Sequence, residues 1–266
     1  MAANTLPLRI VQPSGWTSGL NNLLRKELHA WWGTRFWITQ AVIWLVAINA
    51  IPVIVLWVAP ATDPNMQVPD GGLIALGLQV FFEIAAQFSA GGVAILGMGA
   101  IIGETQSGTA AWLLSKPLSR PAFVSAKLVA LAIGTLALCI ALPGAVAYAQ
   151  IGAATRQFPD PGSFAVGLGL VGIHTLFYVT LTVMLGTLVK SRGAVIGIAV
   201  AVLFGQQLVA NFIGPFAVYL PHSLGAMAAT TSMGQPPLSL GALGVAVVLS
   251  MIFVAIGIWR FDREEL

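Results

Sequence analysis

The chain has 266 residues, of which 58% are hydrophobic and 8% charged, with a formal net charge of +3. Water-soluble domains carry about 25% charged residues, so this composition excludes an ordinary soluble fold and points to an integral membrane protein. The basic residues flank apolar stretches rather than forming the clustered basic face that nucleic-acid binding requires, and the lone Cys139 excludes an intrachain disulfide.

The N-terminal segment from Trp16 to Phe36 places Trp16, Leu20, Leu23, Leu24, Leu28, Trp31 and Trp32 at helical spacing, with Asn21, Arg25, Lys26 and His29 on the other side. This is the pattern of an interfacial amphipathic helix, whose bases meet anionic headgroups while its tryptophans sit at the membrane boundary. It serves as a lipid anchor, or it also touches a cytoplasmic partner. No secretory signal is expected, because the segment is polar and the next apolar stretch is too long for a signal core.

Six stretches then reach the roughly 20 apolar residues that a bilayer crossing needs. They run from about Phe36 to Trp57, Gly71 to Gly103, Lys127 to Ala149, Ser163 to Leu188, Gly193 to Val218 and Leu240 to Trp259. Six spans put Arg9, Arg25, Lys26, Arg35, Lys116, Arg120, Lys127, Lys190, Arg192, Arg260 and Arg263 on one side and leave Arg156 on the other with Asp63, Asp70 and Asp160. By the positive-inside rule both termini are cytoplasmic. The expected fold is therefore all-α, one six-span membrane domain over residues 1–266: a cytoplasmic amphipathic segment (1–35), the bundle (36–260), a cytoplasmic loop (104–126) and a tail (261–266).

The second stretch would extend roughly 50 Å as a helix, more than the hydrocarbon is thick. With Glu104 at the cytoplasmic boundary, Glu83 lies roughly 31 Å away, near the outer edge. That position favours a solvated or gate-lining carboxylate over an ion-coupling one. Pro52, Pro143 and Pro215 fall in or near apolar helices and mark kinks. The loop from Tyr219 to Ser239 has no charged residue and can dip into the outer interface as short helices.

The polar interruption from Gly103 to Lys127, GETQSGTAAWLLSKPLSRPAFVSAK, is the most specific segment. Ser107 or Thr109 can cap a short helix through Ala110, Ala111, Trp112, Leu113 and Leu114, which Pro117 cannot continue. Ser119 offers a second cap, with Pro121 in the first turn of a helix that runs through Phe123 and Lys127 into the third span. Exposed Trp112, Leu113 and Leu114 would give the loop an apolar patch fit for a partner, the alternative being a helix lying back on the membrane. GETQSGT has phosphate-loop glycine spacing but Thr109 where the Lys belongs, so no ATP site is expected in this chain.

The run Glu104, Gly108, Thr109, Leu113, Leu114, Ser115, Pro117, Leu118, Ser119, Arg120, followed by Phe123 and Lys127, resembles the first intracellular loop of six-span ABC exporter permeases of the nitrous-oxide-reductase maturation, gliding-motility and multidrug systems. RKEL at Arg25 to Leu28 and RFDREEL at Arg260 to Leu266 resemble the ends of the same family. The resemblance implies that the region from Glu104 to Arg120 is a coupling helix docking on a cytoplasmic nucleotide-binding ATPase, with Gly108, Thr109, Trp112, Leu113, Leu114, Ser115, Lys116 and Pro117 in the contact. Glu104, Lys116 and Arg120 would hold the loop ends, against the ATPase or against the amphipathic helix near Arg25 and Glu27. It further implies a dimer of permeases, most simply a homodimer, in a bacterial-type inner membrane, with ATP and Mg held by the partner and no cofactor or metal in this chain.

In that family the second and fifth spans approach the two-fold axis. Here they carry Phe81, Phe82, Glu83, Gln87 and Phe88, and Phe204, Gln207 and Asn211, as the candidate translocation path. Gln207 and Asn211 share a helix face, although amides within a span often only bond a neighbouring helix. His174 in the fourth span reads as an interhelical hydrogen-bonding residue, with no evident pairing to Glu83. An ion-coupled secondary transporter and a membrane assembly subunit without transport activity are the alternative functions.

Overall fold

A computed structural model describes residues 15–63, 65–236 and 240–264. Arg9, residues 237–239 of the expected outer loop and residues 265–266 of the tail lie outside the described residues. The protein is all-helical, and among the described residues six helices are long and apolar enough to cross a membrane: Phe36–Thr62, Gly72–Gln106, Arg120–Thr155, Pro161–Leu188, Arg192–Tyr219 and Gly241–Asp262. It is a multi-pass membrane protein.

The expected spans are all present, with longer helices than hydropathy alone marks. The third begins at Arg120 because Ser119 caps it, accepting a hydrogen bond from the Ala122 amide at 3.3 Å, with Pro121 in the first turn. The fourth begins behind Asp160, whose carboxylate accepts from the Ser163 amide at 2.7 Å; that bond holds the carboxyl below its ordinary pKa. The second is not continuous: it leaves α-helix at residues 98–101 and resumes at Ile102–Gln106. The three prolines stand beside departures from α-helix. Pro52 precedes a π stretch at Ile54–Val58, Pro143 follows one at Leu136–Ala141, and Pro215 lies in the 3-10 turn Gly214–Tyr219.

Burial ranks the spans. The fourth is the hub, with 78% of its apolar window buried, while the fifth and sixth have 17% each and line the outside. Two apolar cores stack along the hub. At the end away from the N-terminal helix, Trp44, Ile48, Phe81, Phe82, Phe164 and Leu224 interlock, and Phe81 stacks on Phe164 at 6.0 Å. At the other end Leu23, Ile101, Phe123, Tyr178 and Phe261 do so. A further helix, Ser223–Ser232, packs against the fourth span where Gly167 leaves no room for a side chain: an added Cβ would sit 2.2 Å from Ser232 Oγ and 2.7 Å from the Phe82 ring. The charge-free loop after Tyr219 does therefore fold into a short helix.

Candidate functional site

The N-terminal helix, Leu20–Trp32, lies across the foot of the third span with Leu23 buried and Leu20, Leu24, Leu28 and Trp31 half-buried. The expected apolar face is thus used against the protein itself, apart from Trp16 and Trp32, which stay 67% and 38% exposed. Trp31 fits because residue 134 is glycine; a Cβ there would lie 2.6 Å from its indole.

Gly19 makes the turn into this helix at φ +76°, and an added Cβ would meet Leu118 Cδ1 at 2.8 Å and the Pro117 carbonyl oxygen at 3.1 Å. Only glycine combines that left-handed backbone with so close an approach. The turn is stitched to the polar loop by Ser18 Oγ donating to the Pro117 carbonyl at 3.0 Å, by the Ser119 amide donating to the Ser18 carbonyl at 3.0 Å, and by Ser119 Oγ donating to the Trp16 carbonyl.

Below the stitch four charges meet. Lys127 Nζ lies 3.1 Å from Glu104 Oε1 and 3.2 Å from Glu27 Oε1, and Lys26 Nζ lies 3.2 Å and 3.7 Å from the same two oxygens. The Lys127 side chain is 3% exposed, so its charge is tolerable only because two carboxylates neutralise it. The cluster ties the N-terminal helix, the end of the second span and the start of the third together. Glu104 therefore holds the loop against this chain's own amphipathic helix, through Lys26 and Lys127 rather than Arg25.

The loop helix is Thr109–Leu114, six residues. Its N-cap is Gly108 at φ +72°, not Ser107 or Thr109, whose hydroxyls instead bond each other at 2.8 Å. The left-handed backbone at this position suits glycine, which the expectation of a side-chain cap passed over. Ala110 is buried, and Leu113 and Leu114 are half-buried against the loop-end core, so the expectation of three exposed apolar side chains holds only for Trp112, 59% exposed. Lys116 Nζ lies 3.6 Å from the centre of its ring, Ser115 Oγ donates to its carbonyl at 2.7 Å, and Pro117 is exposed at the end of the ridge.

Arg120 clamps the far side of the loop. One guanidinium nitrogen, Nη1, donates to the carbonyls of Phe261, Asp262 and Glu264 at 3.3, 2.6 and 2.7 Å, at the end of the sixth span, where the Phe261 carbonyl also accepts from the Glu264 amide at 3.3 Å. Phe123 stacks on Phe261 at 5.0 Å. Gln106 Nε2 donates to the Lys190 carbonyl at 2.9 Å, which joins the loop to the turn between the fourth and fifth spans. The loop helix is consequently held on three sides with its Trp112 ridge facing outward. Lys127 as a buried anchor and Phe261 as a stacking partner were not evident from sequence, because charge and aromaticity carry no depth by themselves.

The residues expected along the second and fifth spans divide. Phe81 and Phe82 are fully buried core, packed on Phe164, and do not face an open path. Glu83 is exposed, accepting from Gln79 Nε2 at 3.2 Å, and Phe88 is 38% exposed. On the fifth span Phe204, Gln207 and Asn211 form an exposed face with Phe212, which is 87% exposed. Glu83 and Gln87 come together with Gln207, and also with His174 and His222, around a cavity of about 290 Å³. Glu83 and His174, which show no evident pairing in sequence, thus share one wall-to-wall space. Among the described residues no grouping of His, Cys, Asp and Glu is placed to hold a metal ion.

Residues 78–266 match the profile of the ABC-2 family transporter proteins. The chain is also similar to the uncharacterized transmembrane protein YxlG of Bacillus subtilis (strain 168), at 25% identity over 259 residues that cover 91% of this chain and 97% of that protein.

Proposed function

Because the chain belongs to the ABC-2 transporter family, in which it is a membrane transport subunit, we propose that it is the permease of an ABC exporter and that Thr109–Leu114 is its coupling helix. The observation that carries this reading is the Trp112 ridge: an exposed indole on a short helix clamped to the bundle by the Lys127 cluster, the Ser18–Ser119 stitch and Arg120. A rigidly held apolar ridge transmits force from a docked partner; a loose one would absorb it.

The partner is a separate cytoplasmic nucleotide-binding ATPase, which binds ATP and Mg and closes on them. Gly108, Ala111, Trp112, Ser115, Lys116 and Pro117 face it, while Glu104, Leu113, Leu114 and Arg120 fix the helix from behind. The loop end, with the N-terminal helix, is cytoplasmic in an inner membrane, in keeping with its bases. Two copies form the transport unit, and the exposed Phe204, Gln207 and Asn211 face of the fifth span supports a homodimer, since amides in a membrane-facing surface favour a protein neighbour over lipid.

The test is co-purification of the full chain with the ATPase encoded beside it, and ATP turnover by the reconstituted pair. Trp112→Asp is expected to abolish assembly and permease-dependent turnover while the thermal midpoint of the permease alone stays unchanged. Normal assembly and turnover in this variant would remove the loop helix from the coupling role.

A further inference from the structure

Two cavities adjoin at the end of the bundle away from the coupling loop. The inner one, about 290 Å³, lies between the second, fourth and fifth spans and the start of the Ser223–Ser232 helix, and Glu83, Gln87, His174, Gln207 and His222 face it. The outer one, about 270 Å³, is lined by Asp70, Gln79 and Gln235, and both share Glu83 and Ala226. The two cavities thus meet at Glu83 and Ala226, with Asp70 on the outer one and the two histidines on the inner one.

Their chemistry has one sign. Two carboxylates line them and, among the described residues, no Lys or Arg does. Among the described residues Glu83 has Gln79 as its hydrogen-bond donor and no Lys or Arg paired with it. His174 is 1% exposed and its Nδ1 has no hydrogen-bond partner among the described residues; His222 Nδ1 is likewise buried and unpartnered. A buried polar atom left without a partner carries a desolvation cost that a bound ligand can recover. Burial lowers the His222 imidazole below its ordinary pKa, so at neutral pH it is uncharged and offers a ring nitrogen as acceptor.

The walls are preorganised. Gln206 accepts from the His222 amide at 3.1 Å and donates to the Tyr178 hydroxyl at 3.1 Å, Ser89 and Thr175 hydroxyls bond at 2.9 Å beside His174, and His174 packs edge-on to Tyr178 at 5.1 Å. Ile84 and Leu203 supply apolar wall. A cavity near the lower end of ligand-pocket sizes, with few polar groups converging on apolar walls, is built for a small organic molecule. The absence of a metal-holding cluster among the described residues argues against a bare metal ion.

We propose that this chamber binds an organic cation, its positive charge against Glu83 and its apolar body against Ile84 and Leu203. Asp70 attracts the cation at the mouth, and the amides and imidazoles of the chamber supply acceptors. The inference rests on the transporter reading only for the ligand's being cargo; the binding itself requires no ATPase.

The full chain in nanodiscs, without ATPase, is dialysed against tritiated tetraphenylphosphonium, with empty nanodiscs as background. Wild type is expected to bind saturably, one cation per chain. Glu83→Gln, isosteric and uncharged, weakens binding at least tenfold, and Ala226→Trp, which fills the junction of the two cavities and keeps the charge, abolishes it. Tetraphenylborate, alike in shape and opposite in charge, does not saturate. The proposal is overturned if wild type shows no saturable binding, if Glu83→Gln binds as well as wild type, if Ala226→Trp retains the site, or if tetraphenylborate saturates equally. Any of these leaves the Trp112 assembly test unaffected, so the two readings fail separately.

Discussion

Replacing Lys127 by Met tests the clamp that holds the loop. The methionine keeps most of the volume of the aliphatic stem and deletes a charge that is 3% exposed and lies 3.1 and 3.2 Å from two carboxylates. Removing one partner of a buried ion pair costs about 3–5 kcal/mol, because the other is left uncompensated. Here the carboxylates of Glu27 and Glu104 are 18% and 19% exposed and keep Lys26, which is 52% exposed and worth less than about 1 kcal/mol to them. The expected loss is therefore at the low end, about 3 kcal/mol in the unfolding free energy measured by steric trapping in micelles. Adding Glu27→Gln and Glu104→Gln to the same chain removes the stranded charges and recovers stability to within about 1 kcal/mol of wild type. Spin labels at Asn21 and Ser115, both exposed, report the local consequence: the single variant broadens their distance distribution and the triple variant narrows it again. A loss under about 1 kcal/mol for Lys127→Met, or a triple variant no better than the single, would refute the anchoring argument.

Two further predictions address backbone and cap. Gly19→Ala places a methyl group 2.8 Å from Leu118 Cδ1 on a backbone at φ +76°, and the left-handed conformation alone costs about 1–2 kcal/mol in the same unfolding assay; an unchanged stability would show that the turn into the N-terminal helix is not fixed by the loop. Asp160→Ala lowers the thermal midpoint whereas Asp160→Asn, an equivalent cap, does not. Because the folded state holds the Asp160 carboxyl below its ordinary pKa, its contribution is present above the unfolded value and is lost as pH falls through the folded one, below about pH 4. Wild type and Asp160→Asn should diverge in that acid window, and coincident pH profiles would contradict the cap.

Hydropathy made the six spans legible because each is a run of about 20 apolar residues, and Ser119 with Pro121 was readable as the third span's start because capping chemistry is local. The cap of the loop helix was not legible: Ser107 and Thr109 have the capping side chains, but the cap falls on Gly108 because the choice depends on where the chain turns left-handed. Phe81 and Phe82 were misplaced for a different reason. A helix that is apolar all round carries no phase in its sequence, so which face meets the core and which meets a cavity is decided only by its neighbours. Leu113 and Leu114 illustrate the same limit at the loop: their apolarity was legible, but whether it is spent on this chain or kept for a partner was not. His222 lies outside every span, and its approach to His174 depends on the folding of the Ser223–Ser232 helix against the fourth span.

What separates packing polarity from functional polarity in this bundle is where each polar atom finds its partner. Thr175, Thr180 and Thr187 are buried in the fourth span, yet each hydroxyl donates to a carbonyl three or four residues back at 2.7 to 2.9 Å, so the helix solvates its own threonines. Asn49 is buried too, and it bridges the first and third spans by donating to the Pro143 carbonyl at 3.4 Å and accepting from Gln150 Nε2 at 2.9 Å. Lys127 is neutralised by two carboxylates. Among the described residues the Thr182 and Thr231 hydroxyls and Glu104 Oε2 also lack hydrogen-bond partners, but none of the three residues lines the chamber. His174 and His222 differ from all of these, because their unpartnered nitrogens belong to side chains that meet the same cavity as the Glu83 carboxylate. Most buried polar groups of the bundle find a partner within the fold, and the two imidazoles beside Glu83 are set apart by nitrogens that open on a cavity.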